Sequence, residues 1–354
     1  MKVIAFTKTS DIGPSSRYRF EQFREPLRAH GIELMTRPLF REPWFRILQI
    51  RNTPLRVAAK SAYVLLRFVV RIAQLRDVGD AELVIVEHQL FPYLPAWAER
   101  WLSSRGVKWI LEFDDAIYRT RFHCRKLEAL CGLADRVVVG NRYLADFARR
   151  HARDVSVVPT TIDLARYTLR VGTPERARHD PIVVGWIGLP YNFGALARLR
   201  EPLRRLSEER SVVLRVVSVG TPSMDGVEIE ALEWCEDREV EEIGRFDIGV
   251  MPLFDDEWSR GKCGLKILQY FAAGVPVVAS PVGVNSEIVR HEENGLLAST
   301  DEEWLACLTR VLDDVGLRGR VVRSGRSTVE GSYSMESWLP RLAEIWTTTA
   351  RGSS

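Results

Sequence analysis

Short runs of β-branched and apolar residues alternate along this chain with longer segments in which apolar residues recur at helical spacing. The short runs predict strands at 2–7, 32–36, 82–86, 107–112, 136–139 and 155–158, and again at 182–187, 212–218, 227–230, 247–251, 275–279 and 296–298. The longer segments predict helices at 16–30, 54–76, 92–104, 123–133 and 141–151, then at 193–209, 238–244, 264–273, 285–290 and 301–313. Strands that alternate with helices in this way predict an α/β fold with parallel sheets.

The elements form two successive series, separated by the polar segment 168–180, which we interpret as a linker because it contains a glycine, a proline and three arginines. A last amphipathic stretch, 335–349, predicts a terminal helix. The chain has 354 residues, which suits two domains that each have their own core. We therefore predict domains at 1–170 and 171–332, followed by a helical segment at 333–354.

Composition narrows the class of protein. The chain is 46% hydrophobic and 27% charged with a net charge of +3, so its bulk charge does not indicate a nucleic-acid partner. Five scattered cysteines indicate reduced thiols and a cytoplasmic location. The chain opens on a strand without the layout of a signal peptide. Its most apolar stretch, 61–73, is interrupted by Arg67 and Arg71 and is too short to span a bilayer.

Residues 260–297 combine basic side chains with glycine turns around a short predicted helix. Lys262 and Lys266 flank Gly264, which opens that helix. The first turn of a helix offers unpaired N–H donors and a partial positive charge, and lysines add full charges. The pattern therefore predicts a diphosphate site.

The same stretch resembles the GT-B glycosyltransferases of the retaining family 4, the glycosyl transferases group 1. In that family it commonly reads E-G-F-G-L-x-x-L-E-A-M-A-x-G-x-P-V-V-A-S, followed by E-x-x-x-x-G-x-x-G-L-L. The matching runs are Gly264-Leu265, 274–280 and 295–297, whereas Gly261 and Gln269 replace the two framing glutamates. The resemblance implies two Rossmann-like domains whose parallel sheets face a central cleft, with the final helix crossing back onto the first domain.

By the same resemblance, the chain is expected to be a retaining, hexosyltransferase-like enzyme. It would move a sugar from a nucleotide-diphosphate donor to a glycan, a lipid-linked or a small-molecule acceptor, without a metal or another cofactor. The alternative is a non-catalytic GT-B protein that binds sugar nucleotides or acts as a scaffold. That alternative is motivated by the two missing glutamates and by Tyr191 and Asn192, which stand near the place where the family often has a cationic clamp.

The resemblance places the donor nucleotide in the second domain. Gly188 follows the first strand of that domain, in the position of the family's glycine turn. Gln269 is expected to accept hydrogen bonds from the donor ribose through its side-chain carbonyl. Of three nearby cations we expect two to face the phosphates. The predicted donor-binding residues are Gly188, Arg260, Lys262, Gly264, Leu265, Lys266 and Gln269.

Two loops of the first domain are candidates for the reacting centre, since ligands bind at the carboxyl ends of strands in open α/β sheets. Asp114 and Asp115 follow one strand, where much of the family has a His-Asp pair near the sugar, and a helix cap with a solvated neighbour is the other interpretation. His88 follows another strand. The predicted catalytic residues are Asp114, Asp115 and His88, and no metal site is predicted.

The loop after the first strand is the third candidate. Gly13, Ser15, Ser16 and Arg17 stand there at the start of a predicted helix, on the diphosphate or acceptor side. A serine that only caps the helix is one interpretation, because serine is a favoured N-cap. Contact of Arg17 with a diphosphate or an anionic acceptor is the other.

Residues 41–76 have one further property: every charged residue there except Glu42 is basic. Four of these cations share a stripe about 60° wide on the predicted helix: Arg56, Lys60, Arg67 and Arg71. Two interpretations stay open. The stripe is either a membrane-surface element that brings the protein to a lipid-linked acceptor, or the solvent-exposed face of a scaffold helix.

Overall fold

A computed structural model describes residues 1–50, 52–119, 121–167 and 181–352, so the predicted linker at 168–180 lies outside the described residues. The chain divides into two compact units. One comprises Met1–Thr160 with Trp338–Ser354, and the other comprises Thr161–Ser337.

The first unit contains a parallel six-stranded sheet of order β2-β1-β3-β4-β5-β6. Its strands are β1 (Lys2–Phe6), β2 (Glu33–Thr36), β3 (Leu83–Glu87), β4 (Trp109–Phe113), β5 (Arg136–Val139) and β6 (Val155–Val157). Its helices are α1 (Pro14–Arg19), α2 (Arg24–Ala29), α3 (Glu42–Leu48), α4 (Thr53–Gln74), α5 (Trp97–Ser104), α6 (Arg121–Leu133) and α7 (Arg142–Ala148). Short 3₁₀ helices lie at Glu21–Phe23, Leu75–Asp80 and Ile117–Arg119.

The centre of this sheet is apolar on both faces. Every residue of β3 and of β4 is buried, as in a parallel sheet covered by helices on both sides. Ala5 of β1 pairs with Ile85 of β3, which pairs with Ile110 of β4. Because these three strands are neighbours and run the same way, the loops that follow them emerge at one edge of the sheet.

The second unit contains a parallel six-stranded sheet of order β12-β11-β10-β7-β8-β9. Its strands are β7 (Ile182–Ile187), β8 (Val212–Ser218), β9 (Ile229–Glu233), β10 (Ile248–Met251), β11 (Val277–Ala279) and β12 (Leu296–Leu297). Its helices are α8 (Phe193–Leu196), α9 (Arg200–Glu209), α10 (Glu236–Gly244), α11 (Glu257–Arg260), α12 (Leu265–Ala272), α13 (Asn285–Ile288), α14 (Asp301–Asp313) and α15 (Val315–Ser332). Short 3₁₀ helices lie at Leu164–Arg166, Pro190–Asn192 and Ala197–Leu199. A final helix, α16 (Met335–Arg351), starts in this unit and groups with the first unit from Trp338 onward.

Helix α15 was not predicted from the sequence, because its four glycines lower its intrinsic helix propensity. The structure shows what offsets that cost. At Gly325 a β-carbon would lie 2.6 Å from Cδ1 of Phe271 in α12, so the absent side chain lets the two helices approach closely. Packing therefore decides the conformation of this segment.

The basic stripe of α4 points into the first unit. Arg71 is 1% exposed and donates to the carbonyl oxygens of Arg37 and Thr7 at 2.7 and 2.8 Å. Arg67 donates to those of Leu39 and Pro38 at 2.5 and 2.9 Å. Arg67 and Arg71 thus point inward, which contradicts the interpretation of the stripe as a solvent-exposed face at these two residues. Contact of residues 41–76 with a membrane stays a prediction. No helix in the described ranges is both long and apolar enough to cross a bilayer.

Candidate functional site

In the second unit, the end of β7 lies against the first turn of α12. Gly188 follows β7, and a β-carbon there would lie 2.7 Å from the Trp186 ring and 2.8 Å from Cε of Lys266. Nζ of Lys266 lies 5.3 Å from the centre of the Trp186 ring, a cation–π contact. The missing side chain at 188 is what allows the lysine to reach the strand end, so two separately predicted donor-site segments meet here.

Gly264 precedes α12 in a left-handed conformation, with φ of 71°. Residues with a β-carbon rarely adopt this conformation, and a β-carbon here would also collide with Ile288. Glycine has no side chain with which to cap the helix. The N–H groups of the first turn of α12, which begins at half-buried Leu265, therefore point out of the N-terminal end of the helix. Such a helix start favours an anion.

The two remaining predicted cations differ in their surroundings. Nζ of Lys262 lies 5.5 Å from the ring centre of Tyr191 and 5.1 Å from that of Trp258. The Arg260 guanidinium instead forms two hydrogen bonds with Asp255, at 2.7 and 3.1 Å. Asp255 therefore already binds Arg260, which weakens Arg260 as a candidate for a diphosphate.

Gln269 lies on α12 with its side chain buried against α10. Its amide nitrogen donates to Oε1 of Glu239 at 2.9 Å, and Nε1 of Trp234 donates to Oε2 of the same carboxylate at 2.6 Å. Glu239 is 2% exposed and Gln269 is 3% exposed. Because the carboxyl oxygens of Glu239 accept both of these hydrogen bonds, the amide of Gln269 is oriented with its nitrogen toward Glu239.

Sequence reasoning missed Glu239. One signal was present in the helical periodicity, since Glu239 lies four residues before the buried Ile243 and so shares its face of α10. A carboxylate in phase with a core residue needs a polar partner inside the protein. The partner is Gln269, 30 residues further along the chain, and no local sequence pattern predicts that pairing.

In the first unit, hydrogen bonds join the end of β3 to the loop after β1 and to α1. Glu87 is 3% exposed, and its Oε2 accepts from the backbone N–H of Lys8 at 2.8 Å and from the Ser16 hydroxyl at 2.9 Å. The N-cap of α1 is Gly13, so the interpretation of a serine as helix cap was wrong: Ser16 binds Glu87, and Ser15 binds Asp114.

A buried ion pair supports the same edge of the sheet. Arg19 of α1 donates to Glu112 of β4 and to the carbonyl oxygen of Val158 at 2.9 Å, and the Arg19 and Glu112 side chains are 4% and 3% exposed. Burial raises the pKa of Glu112 to about 7, although Arg19 opposes this change. Burial also raises the pKa of Glu87. These two carboxyl groups were not singled out from the sequence.

His88 and Asp114 lie together at this edge. Nε2 of His88 is 3.4 Å from Oδ1 of Asp114. His88 has a positive φ of 61°, a strained conformation for a residue with a side chain, and its N–H donates to the Glu112 carbonyl at 2.8 Å. Burial disfavours ionised Asp114, but hydrogen bonds from His88 and Ser15 and the charges of His88 and Arg19 hold its pKa below the usual value. Asp114 is thus a carboxylate at neutral pH, beside carboxyl groups whose pKa values move the other way.

The remaining predicted residues of this unit lie close by in sequence. Asp115 is partly buried, and its carbonyl oxygen accepts from the N–H of Ile117 at 2.8 Å. Arg17 is 5% exposed with its guanidinium 4.9 Å from the Tyr18 ring centre. Hydrogen bonds thus tie Ser15, His88 and Asp114 into one cluster that draws on α1 and on the loops after β3 and β4.

The chain is similar in sequence to known proteins. Residues 181–314 match the family described as Glycosyl transferases group 1. The D-inositol 3-phosphate glycosyltransferase of Salinispora arenicola is 28% identical over 258 residues, which are 62% of this chain and 56% of that protein. The chain therefore spans about half the length of the curated relatives it matches.

Two solved structures share the fold. Sucrose-phosphate synthase from Thermosynechococcus elongatus aligns with a TM-score of 0.72 at 16% identity, covering 98% of each chain. Anabaena HepE, solved in complex with UDP and glucose, aligns with a TM-score of 0.68 at 14% identity, covering 98% of this chain and 99% of that one. The chain therefore resembles the group 1 glycosyltransferases and has their GT-B fold, with an α/β architecture of two parallel six-stranded sheets.

Proposed function

We propose that the chain is a retaining glycosyltransferase that takes a sugar from a nucleotide-diphosphate donor. The observation that carries the proposal is the start of α12, where Lys266 and the uncapped first turn meet the glycine end of β7, with Lys262 close by in sequence. This arrangement provides two full positive charges and several N–H donors for one diphosphate.

We propose that the lysines and N–H groups at the start of α12 act electrostatically. When the sugar leaves, negative charge develops on the diphosphate, and fixed cations and N–H donors stabilise it. We propose that Lys262, Lys266 and the first turn of α12 have this role and that no metal is required. Ionised Asp114, held by His88 and Ser15, would accept a hydrogen bond from a sugar or acceptor hydroxyl and so orient it.

The donor and the acceptor remain to be identified by experiment. Structures of Anabaena HepE contain UDP and UDP-glucose, which makes uridine donors the first to test. A glycan, a lipid-linked or a small-molecule hydroxyl is the proposed acceptor. We also propose a cytoplasmic reaction, because all five cysteines are free thiols.

The test is turnover of a panel of nucleotide sugars, with and without EDTA. We expect hydrolysis or transfer with at least one donor and the same rate in EDTA. Among the described residues no three His, Cys, Asp or Glu side chains lie together as metal ligands would. Activity that EDTA removes and magnesium or manganese restores would contradict the metal-independent mechanism, and binding without turnover would favour the non-catalytic alternative suggested by Gly261.

A second experiment exchanges the partners of the buried pair. Gln269→Glu alone places two carboxylates where nitrogen and oxygen are now 2.9 Å apart, so one must take a proton or move. We expect nucleoside-diphosphate affinity to fall by roughly tenfold, or about 1.4 kcal/mol. In the double variant Glu239→Gln/Gln269→Glu, the amide at 239 can still accept from Trp234 and donate to position 269, so calorimetry should show recovered affinity. A double variant that binds as weakly as the single one would contradict a ribose-facing role for position 269.

A further inference from the structure

The loop between β3 and α5, residues 88–96, contains two residues with a strained backbone. His88 has a φ of 61° and Tyr93 a φ of 67°, and among the other described residues with a side chain only Glu292 has a positive φ. Such conformations persist only where the surrounding structure holds them in place. His88 lies at the start of this loop and beside Asp114, so the contacts that hold the loop also decide where the imidazole lies.

A buried ion pair lies against this loop. Nζ of Lys126 in α6 is 3.4 Å from Oε1 of Glu99 in α5, and the two side chains are 3% and 0% exposed. Both groups also bind the backbone of the loop. Nζ of Lys126 donates to the carbonyl oxygen of Phe91 at 2.7 Å, and Oε1 of Glu99 accepts from the N–H of Leu90 at 3.0 Å. Two helices therefore hold two consecutive residues of the loop.

The pair is a poor arrangement for stability alone. Removing two charges from water is expensive, and a buried ion pair often stabilises a protein no more than apolar residues of similar volume would. Burial lowers the pKa of Lys126, although Glu99 opposes this change. In the described part of the chain no group donates a hydrogen bond to Oε2 of Glu99. The pair is therefore better explained by its contacts with the loop.

Aromatic packing fixes the same part of the loop. Phe91 is 1% exposed, and its ring centre is 5.2 Å from that of Trp97, on which it stacks, and 5.2 Å from that of Phe68, which it meets edge-on. The N–H of His88 donates to the carbonyl oxygen of Glu112 in β4 at 2.8 Å. The segment 88–91 is thus attached at both of its ends, which restricts the position of the imidazole.

We propose that Glu99 and Lys126 are positioning residues for the transfer reaction. They hold the segment 88–91 so that His88 keeps its strained conformation and its contact with Asp114, where Nε2 and Oδ1 are 3.4 Å apart. Their effect passes through His88 and Asp114. The effect on turnover rests on the proposed function, whereas the effect on His88 can be measured without any turnover.

The test is the double variant Glu99→Gln/Lys126→Met, which removes both charges and so leaves no unpaired charge buried. Glutamine can still accept from the N–H of Leu90, but methionine cannot donate to the carbonyl of Phe91. We expect the imidazole resonances of His88 to move in NMR spectra of histidine-labelled protein, where a His88→Gln variant assigns them. Turnover should fall by about tenfold or more at unchanged nucleoside-diphosphate affinity, because a small displacement of a positioned group lowers the rate steeply.

Two further variants make the result specific. Arg136→Met is the matched control, since it removes the ion pair with Asp154, at 2.6 Å, from the opposite edge of the same sheet. It should leave the His88 resonances and the turnover unchanged. Glu99→Gln alone keeps the acceptor for Leu90 and the lysine donor, so most of the turnover should be retained. Thermal unfolding of each variant gives the temperature range in which it is folded, and turnover is compared there.

Three results would overturn the proposal: unchanged His88 resonances in the folded double variant, moved resonances with full turnover, or an equal movement in Arg136→Met. If the double variant does not fold, Glu99→Gln/Lys126→Gln replaces it, because glutamine is too short to restore the lysine contact. Failure of both to fold would also overturn the proposal, since the pair would then serve the fold as a whole. If the unmodified chain turns over no donor, the transferase proposal fails, and the His88 resonances alone decide the positioning role.

Discussion

Removing the positive charge of Lys262 or Lys266 is expected to weaken nucleoside-diphosphate binding by roughly 1–3 kcal/mol for each residue, the range of a charge-assisted hydrogen bond. The variants of choice are Lys262→Met and Lys266→Met. Methionine keeps an unbranched apolar side chain, so Lys266→Met retains the packing over the Trp186 ring while its charge is lost. Calorimetry with the nucleoside diphosphate alone measures the effect.

Two controls make this measurement specific. Arg260→Met removes a cation that Asp255 already binds and should change the affinity much less. Lysine-to-arginine variants at the two main positions keep the charge and should recover part of the binding. Unchanged affinity in both methionine variants would show that these lysines do not hold the diphosphate.

Asp114→Asn is expected to lower turnover by roughly 100-fold or more, the scale on which a positioned polar group affects a transition state. The substitution keeps the size of the side chain and a carbonyl oxygen that can still accept from His88 or Ser15. It removes the negative charge that those neighbours stabilise. Because a lowered pKa means that the ionised carboxylate stabilises the folded state at neutral pH, the unfolding temperature should also fall, and turnover is to be compared at a temperature where both proteins are folded.

Asp115→Asn is the matched control, one residue away and also partly buried. If Asp114 acts on substrate, turnover should fall at 114 with donor affinity retained and should be less affected at 115. Full activity of both single variants would rule out the proposed role of this pair, and unchanged turnover per folded molecule in Asp114→Asn would assign Asp114 to the fold.

Much of the fold could be predicted from local pattern. The bounds predicted for β7 and β8 agree with the structure, because continuous β-branched runs end there at polar or glycine positions. The bounds predicted for α14 also agree, and Thr300 and Glu303 form a capping box at its start. Helix α15 was not predicted because glycines lower helix propensity. The close packing of Gly325 on Phe271, which offsets that cost, can be seen only in the structure.

The candidate site divides in the same way. Lysines around a helix-opening glycine are a local signal, so Lys262, Gly264 and Lys266 could be proposed from sequence. Arg19 and Glu112 are 93 residues apart, and no spacing rule joins them. The direction in which α4 faces was also beyond the sequence, because an amphipathic pattern fixes two opposite sides but not which of them meets the protein.

Helix α16 has a consequence for how the chain matures. The unit that contains β1 also needs residues from Trp338 onward, including fully buried Trp346, whereas Thr161–Ser337 form the other unit as one uninterrupted stretch. During synthesis the first unit is therefore complete only after α16 has been made, whereas all residues of the second unit have been made before Trp338. A chain truncated before Trp338 would therefore contain every residue of the second unit but lack part of the first.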